Sequence, residues 1–219
     1  MTNDSSEINR IISEEVRNFT SWCERNKQQH NSEKSQLLIF TRSHGSLHQS
    51  LPVSVSSTMK ILGVHLNSNL TWHDQVSESC KKASKRLRIL RILKPHVSPN
   101  ELHQVYVTSV RSIFDYACTL LVGLDIGLSK KLQRVDNRAH RIMFGDHRLC
   151  ACKDDTLKKR REDLSLASLR KFLSCDEHIL DDCLPKPSIN PNRLRNFYCR
   201  TEKRRRSFFP FTTELFNKL

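Results

Sequence analysis

The chain has 219 residues, 37% of them hydrophobic, and 37 Lys/Arg against 23 Asp/Glu give it a net charge of +14. That length supports one or two small domains with a real core. No apolar run nears the ~20 residues that span a bilayer, and the polar N-terminus has no signal-peptide core. The reading is a soluble intracellular protein of the nucleus or cytoplasm, with no membrane association and with its eight cysteines reduced.

The first predicted element is a helix. Ile8, Ile11, Ile12, Val16, Phe19 and Trp22 recur at three- and four-residue intervals, and Asp4 with Glu7 makes a capping box. Asn26–Asn31 is polar and turn-prone. Strands follow at Gln36–Thr41, at Leu51–Ser56 (weak, at an edge) and at Met59–Leu66, with Asn67-Ser68-Asn69 turning the chain. A helix and three strands, most simply antiparallel, make a thin core.

The second helix spans about Trp72–Leu93. Val76, Cys80, Ala83, Leu87 and Leu90 form a narrow apolar seam, and Pro95 ends the helix. Outside the seam stand Lys81, Lys82, Lys85, Arg86, Arg88, Arg91 and Lys94. The third helix has the clearest start: Ser98 as N-cap, Pro99 in the first turn, and Glu101 closing an S-x-x-E box. Its face is Leu102, Val105, Tyr106, Val110, Ile113, Phe114 and Ala117, with Gly123 as its stop. A fourth carries Leu128, Leu132, Val135, Ala139 and Ile142, with Gly145 after its end. Three such helices with short connections make a bundle. Beyond them, 156–173 reads as helical. Pro185, Pro187 and Pro191 mark a linker, and a basic run, Lys203–Arg206, precedes Phe208-Phe209-Pro210-Phe211.

The fold class is therefore α+β, mainly α. It comprises a helix with a small antiparallel sheet (1–66), a three-helix bundle (67–145) and a helical C-terminal extension (146–219). Charge follows this division: the three parts carry net charges of +1, +7 and +6. Clustered positive charge is the footprint of a polyanion, set against the plainer alternative of a solvated basic face.

Several motifs occur in a specific order: Trp22-Cys23 with Asn26; Asn31, Lys34 and Ser35; Lys60, Leu62, Gly63, Val64, Leu66, Leu70 and Trp72. They continue with Lys82–Leu87, then Arg111-Ser112 with Tyr116-Ala117-Cys118, then Gln133–Ile142. Arg205, Ser207–Pro210 and Phe216-Asn217 close the series. In this order they resemble the palm end and thumb of jockey-type reverse transcriptases from non-LTR retrotransposons, over nearly the whole chain. Leu120-Leu121 stand where that family often has a tryptophan.

The resemblance implies a thumb that grips the backbone of a template–primer duplex nonspecifically. The nucleic-acid-binding set is then Lys81, Lys82, Lys85, Arg86, Arg88, Arg91 and Lys94, whose cations neutralise phosphates without reading bases. It also places Met1 downstream of the family's catalytic aspartates. The expectation is a truncated, non-enzymatic remnant of a mobile element, with polymerase activity only when joined to an upstream segment. A structural, partner-binding helical module is the alternative from another class.

Asp154-Asp155 and Asp181-Asp182 are the acidic pairs of the type that two-metal catalysis needs, but neither lies between hydrophobic strands, so no catalytic residue is assigned. Lys60–Trp72 with its basic helix also resembles a segment at the N-terminus of AlkB-homologue tRNA-modifying methyltransferases. No iron facial triad or Gly-rich cofactor loop accompanies it. Cys150, Cys152, Cys175, His178 and Cys183 include zinc-type donors. C-x-C lacks the usual two-residue gap, however, so the expectation is ordinary thiols, with no metal, cofactor or small-molecule substrate.

Overall fold

A computed structural model describes residues 3–40, 53–145, 156–175 and 179–218. Its class is the one expected, mainly helical with small sheets, and it divides into two compact units, 1–71 and 72–219. The three segments read from the sequence thus become two, because the C-terminal extension packs on the bundle.

The first unit opens with α1 (Asn3–Arg25), which begins one residue ahead of the Asp4–Glu7 box expected to start it. Its end is a Schellman turn. Lys27 is left-handed (φ 55°), Gln28 N–H reaches Cys23 O at 2.8 Å and Lys27 N–H reaches Glu24 O at 3.1 Å. Asn26 Nδ2 donates to Trp22 O at 2.8 Å, and Asn31 caps a short 3-10 turn over Ser32–Lys34. The Trp22-Cys23…Asn26 and Asn31…Lys34 motifs are therefore helix-stop and turn chemistry.

β1 (Gln36–Leu38) pairs with β2 (Ser54–Ser56) in parallel, and β3 (Thr58–Ile61) pairs with β4 (Val64–Asn67) antiparallel. The expected antiparallel sheet is present as the β3–β4 ladder, and the other two strands form a separate parallel ladder instead of extending it. The strand read across Met59–Leu66 is in fact a hairpin. Leu62 and Gly63 both have positive φ (47° and 85°), the conformation of a two-residue primed turn. The apolar run hides that turn, because Leu62 is an apolar residue in a place that Asn or Asp usually fills. Ile39, Phe40 and Val53, also expected in the first two strands, stand outside the ladders, and residues 41 and 51–52 lie outside the described residues.

In the second unit α2 (His73–Leu93) buries the expected seam, with Val76, Ala83, Leu87 and Leu90 at most 1% exposed. α3 (Pro99–Tyr106) starts with both bonds of the Ser98–Glu101 capping box. The single long helix expected there is interrupted. A π turn spans Val107–Arg111, α4 (Ser112–Asp115) follows, and the helix stops at Tyr116, before Gly123. The reason lies in the buried residues Leu102, Tyr106, Val110 and Phe114, which step by four. On a 3.6-residue helix that row drifts around the axis, and one wide turn returns it to the core. Ala117 then adopts φ 52° to redirect the chain into a 3-10 turn over Cys118–Leu121.

α5 (Ile126–Phe144), capped by Asp125, lies against α2 and ends at Gly145 with φ 81°. α6 (Leu157–Leu173), capped by Thr156, packs on α5 and on the 3-10 turn. The expected proline linker is instead a tied-down arm, with Pro187 bridged to Leu194. The basic run forms α7 (Glu202–Arg205), followed by α8 (Phe208–Phe216) against α6. Asn217 serves both backbone groups of Leu194: its Oδ1 accepts from Leu194 N and its Nδ2 donates to Leu194 O, both at 2.9 Å. Gly123 is explained by contact. A Cβ there would stand 2.0 Å from the carbonyl oxygen of Arg206, so glycine lets the arm lie on the bundle.

Candidate nucleic-acid interface

α2 presents one buried and one charged side because its apolar residues alternate in steps of three and four. Lys81, Lys82, Lys85, Arg86, Arg88 and Arg91 are all exposed on it, as is Lys94 just beyond its end. They do not form one track. Ser77, Lys81, Arg88 and Arg91 follow one helical row, Lys85 lies beside it, and Lys82 and Arg86 fall on the other flank. Lys81 is already engaged. Its Nζ lies 2.7 Å from Glu78 Oε1, and that hydrogen bond raises the lysine above its ordinary pKa.

Position in the bundle adds cations that the apolar seam of α5 concealed. Lys131, Arg134, Arg138 and Arg141 are exposed and step by three, four and three along one flank of α5. Lys131 Nζ donates to Ser77 Oγ at 3.1 Å, which joins this row to the Ser77–Lys81 row of α2. The same three-four periodicity that marks the apolar seam marks this charged row in the sequence.

Inside the bundle, on another side of α5, lies a buried polar network. The Tyr106 hydroxyl donates to Asp136 Oδ1, and Gln133 Nε2 donates to Asp136 Oδ2 at 3.0 Å. Gln133 Oε1 accepts from Leu157 N at 3.0 Å, tying α5 to the first turn of α6. His140 Nδ1 lies 3.1 Å from Asp136 O, and the Arg111 guanidinium sits 5.5 Å from the Tyr106 ring centre. Burial pushes the Asp136 carboxyl up against the opposing pull of Tyr106, His140, Arg111 and Gln133. Burial and the neighbouring Asp136 push the Tyr106 phenol up as well, so it keeps its proton.

With Tyr106 fully buried and Asp136 1% exposed, the centre of the network is shut off from solvent, Gln133 forms its half-buried edge, and the whole works as a lock between helices. A second tie is the Arg160–Asp115 fork, with bonds of 2.7 and 2.8 Å from α6 to α4. The motifs Arg111…Tyr116-Ala117-Cys118 and Gln133–Ile142 thus supply interior ties and a redirecting turn, with Arg134, Arg138 and Arg141 facing outward.

The remaining candidates stay apart. Asp181 and Asp182 are exposed in a 3-10 turn, and Cys175 and Cys183 are exposed thiols. Asp154, Asp155, Cys150, Cys152 and His178 lie outside the described residues. Among the described residues no three His, Cys, Asp or Glu side chains gather as metal donors, and no helix is long and apolar enough to cross a membrane. Comparison with protein-family models, with curated proteins and with solved structures gives no match.

Proposed function

We propose that the chain is a reverse-transcriptase-thumb-like module that grips the backbone of a nucleic-acid duplex without reading its sequence, in the nucleus or cytoplasm. The observation that carries this reading is the exposure of every basic residue of α2 beside the Lys131–Arg141 row of α5. Long flexible cations over a packed apolar seam suit phosphate neutralisation, which needs charge and reach more than fixed geometry. The order of motifs along the chain supports the family resemblance independently of charge.

The test is salt dependence. Each neutralised phosphate contributes about −0.9 to the slope of log K against log salt on B-DNA, so five contacts give a slope of about −4.5. Changing Lys85, Arg88, Arg91, Arg134 and Arg138 to Gln retains good helix formers. It should flatten the slope and weaken binding to all sequences alike. A folded quintuple variant, judged by circular dichroism, that binds with an unchanged slope would overturn the proposal.

A further inference from the structure

The densest charge in the molecule is not on α2. Between Lys186 and Arg206 stand eight Lys/Arg against Glu202 alone, a net of +7 and half of the chain's +14. Glu202 is spent on Arg205 and Arg206, at 3.5 and 3.0 Å. Arg193, Arg195, Arg200 and Arg204 are exposed and have no acidic partner among the described residues.

The backbone that bears them is held. Arg195 N donates to Lys186 O at 2.8 Å, Ser188 N to Arg193 O at 3.0 Å, and Asn217 clamps Leu194 from the opposite side. From Arg195 to Cys199 the chain has no helix or turn. Phe197 and Cys199 are half-buried, while Tyr198 points outward and is 85% exposed. A phenol ring therefore stands in water between Arg195 and Arg200, on an irregular segment anchored at its Arg195 end, and those two residues lie at most about 17 Å apart.

We propose that this arm binds an unpaired nucleic-acid strand, with Tyr198 stacking on a base and Arg195 and Arg200 meeting the phosphates on either side. A paired base inside a duplex has both faces covered by its neighbours, whereas an unpaired base offers its face to an aromatic ring. The proposal rests on the nucleic-acid reading of α2 but assigns a different strand state to a different surface.

The full-length protein is titrated with a labelled unpaired oligothymidine and, separately, with a hairpin duplex. Tyr198→Ala should weaken oligothymidine binding about tenfold, Tyr198→Phe should keep it, and neither should change duplex binding beyond twofold. Ultraviolet cross-linking with thiothymidine in the strand should label the peptide that contains Tyr198. Unchanged oligothymidine binding by Tyr198→Ala, with duplex binding intact, overturns this inference and leaves the α2 reading standing. Oligothymidine binding that depends on Tyr198, without any duplex binding, supports the arm and removes the α2 reading. Binding of neither probe by the wild type overturns both.

Discussion

Single side chains decide how the surface is charged and how the bundle is locked. Glu78 occupies Lys81 on the proposed phosphate row, and the pair is solvent-facing, so it adds little to stability. Glu78→Gln should release Lys81 and remove a like charge from the ligand's path. Tighter duplex binding and a steeper salt slope are expected in a fluorescence-anisotropy titration; unchanged or weaker binding would exclude Lys81 from the contact. Inside, Tyr106→Phe takes the donor from Asp136 Oδ1 and leaves a buried carboxylate short of a partner, a cost of about 1–3 kcal/mol. The pH dependence has a defined sign. The folded-state pKa of Asp136 is raised by burial, so its contribution is fully present below the ordinary carboxylate range and is lost as pH rises through the folded value. Losing Tyr106 as donor raises that value further. Urea unfolding should therefore show a larger deficit for Tyr106→Phe at neutral than at acidic pH, and a deficit equal at both would contradict the assignment.

At the scale of elements, strain at turns and contact at one glycine set the boundaries that periodicity misses. Leu62 holds a left-handed backbone at 86% exposure, so its side chain gains little there while its Cβ opposes the turn. Leu62→Asn should favour the β3–β4 hairpin by about 0.5–1 kcal/mol and slow hydrogen exchange across Thr58–Asn67. Equal exchange in both proteins would mean the turn is not what limits the hairpin. Gly123→Ala sets a methyl against the Arg206 backbone and should lift the arm from the bundle, at a cost of about 1–3 kcal/mol. Trypsin should then cut within Arg193–Arg206 faster than in the wild type, and unchanged cleavage would refute the close approach.

For the whole molecule, the distribution of buried apolar side chains sets where stability resides. Before residue 72, Cys23 and Val64 are the fully buried ones among the described residues, whereas the second unit holds a connected core from Val76 to Leu157 with a further layer at Leu166 and Leu169. Amides of α2 and α5 should be the last to exchange and those of the first unit the first. Comparable protection in both units would show that the first is stabilised by something beyond its own core.

The helices of the second unit were legible because seam and cap are local. Val76 to Leu90, the Ser98–Glu101 box and Gly145 each state their role within a few residues, and 3.6-residue periodicity turns them into a buried face. The exposure of the seven basic residues around α2 was legible for the same reason, since they lie off the seam, although Gln75 and Ser79, also off it, are buried. What local pattern does not encode is which distant backbone or side chain arrives at a position. Gly123 is small for Arg206, Asn217 is amide-bearing for Leu194, and Asp136 is acidic for Tyr106, thirty residues away. The row Lys131–Arg141 joins α2 because α5 packs beside it. Such pairings are fixed by long-range packing, where the gain from burying two surfaces outweighs the cost of closing the loop between them. For that reason the tertiary structure alone decided the π turn at Val107–Arg111 and the docking of the basic arm, whereas the hairpin at Gly63 is local and was hidden only because apolar Leu62 fills its turn.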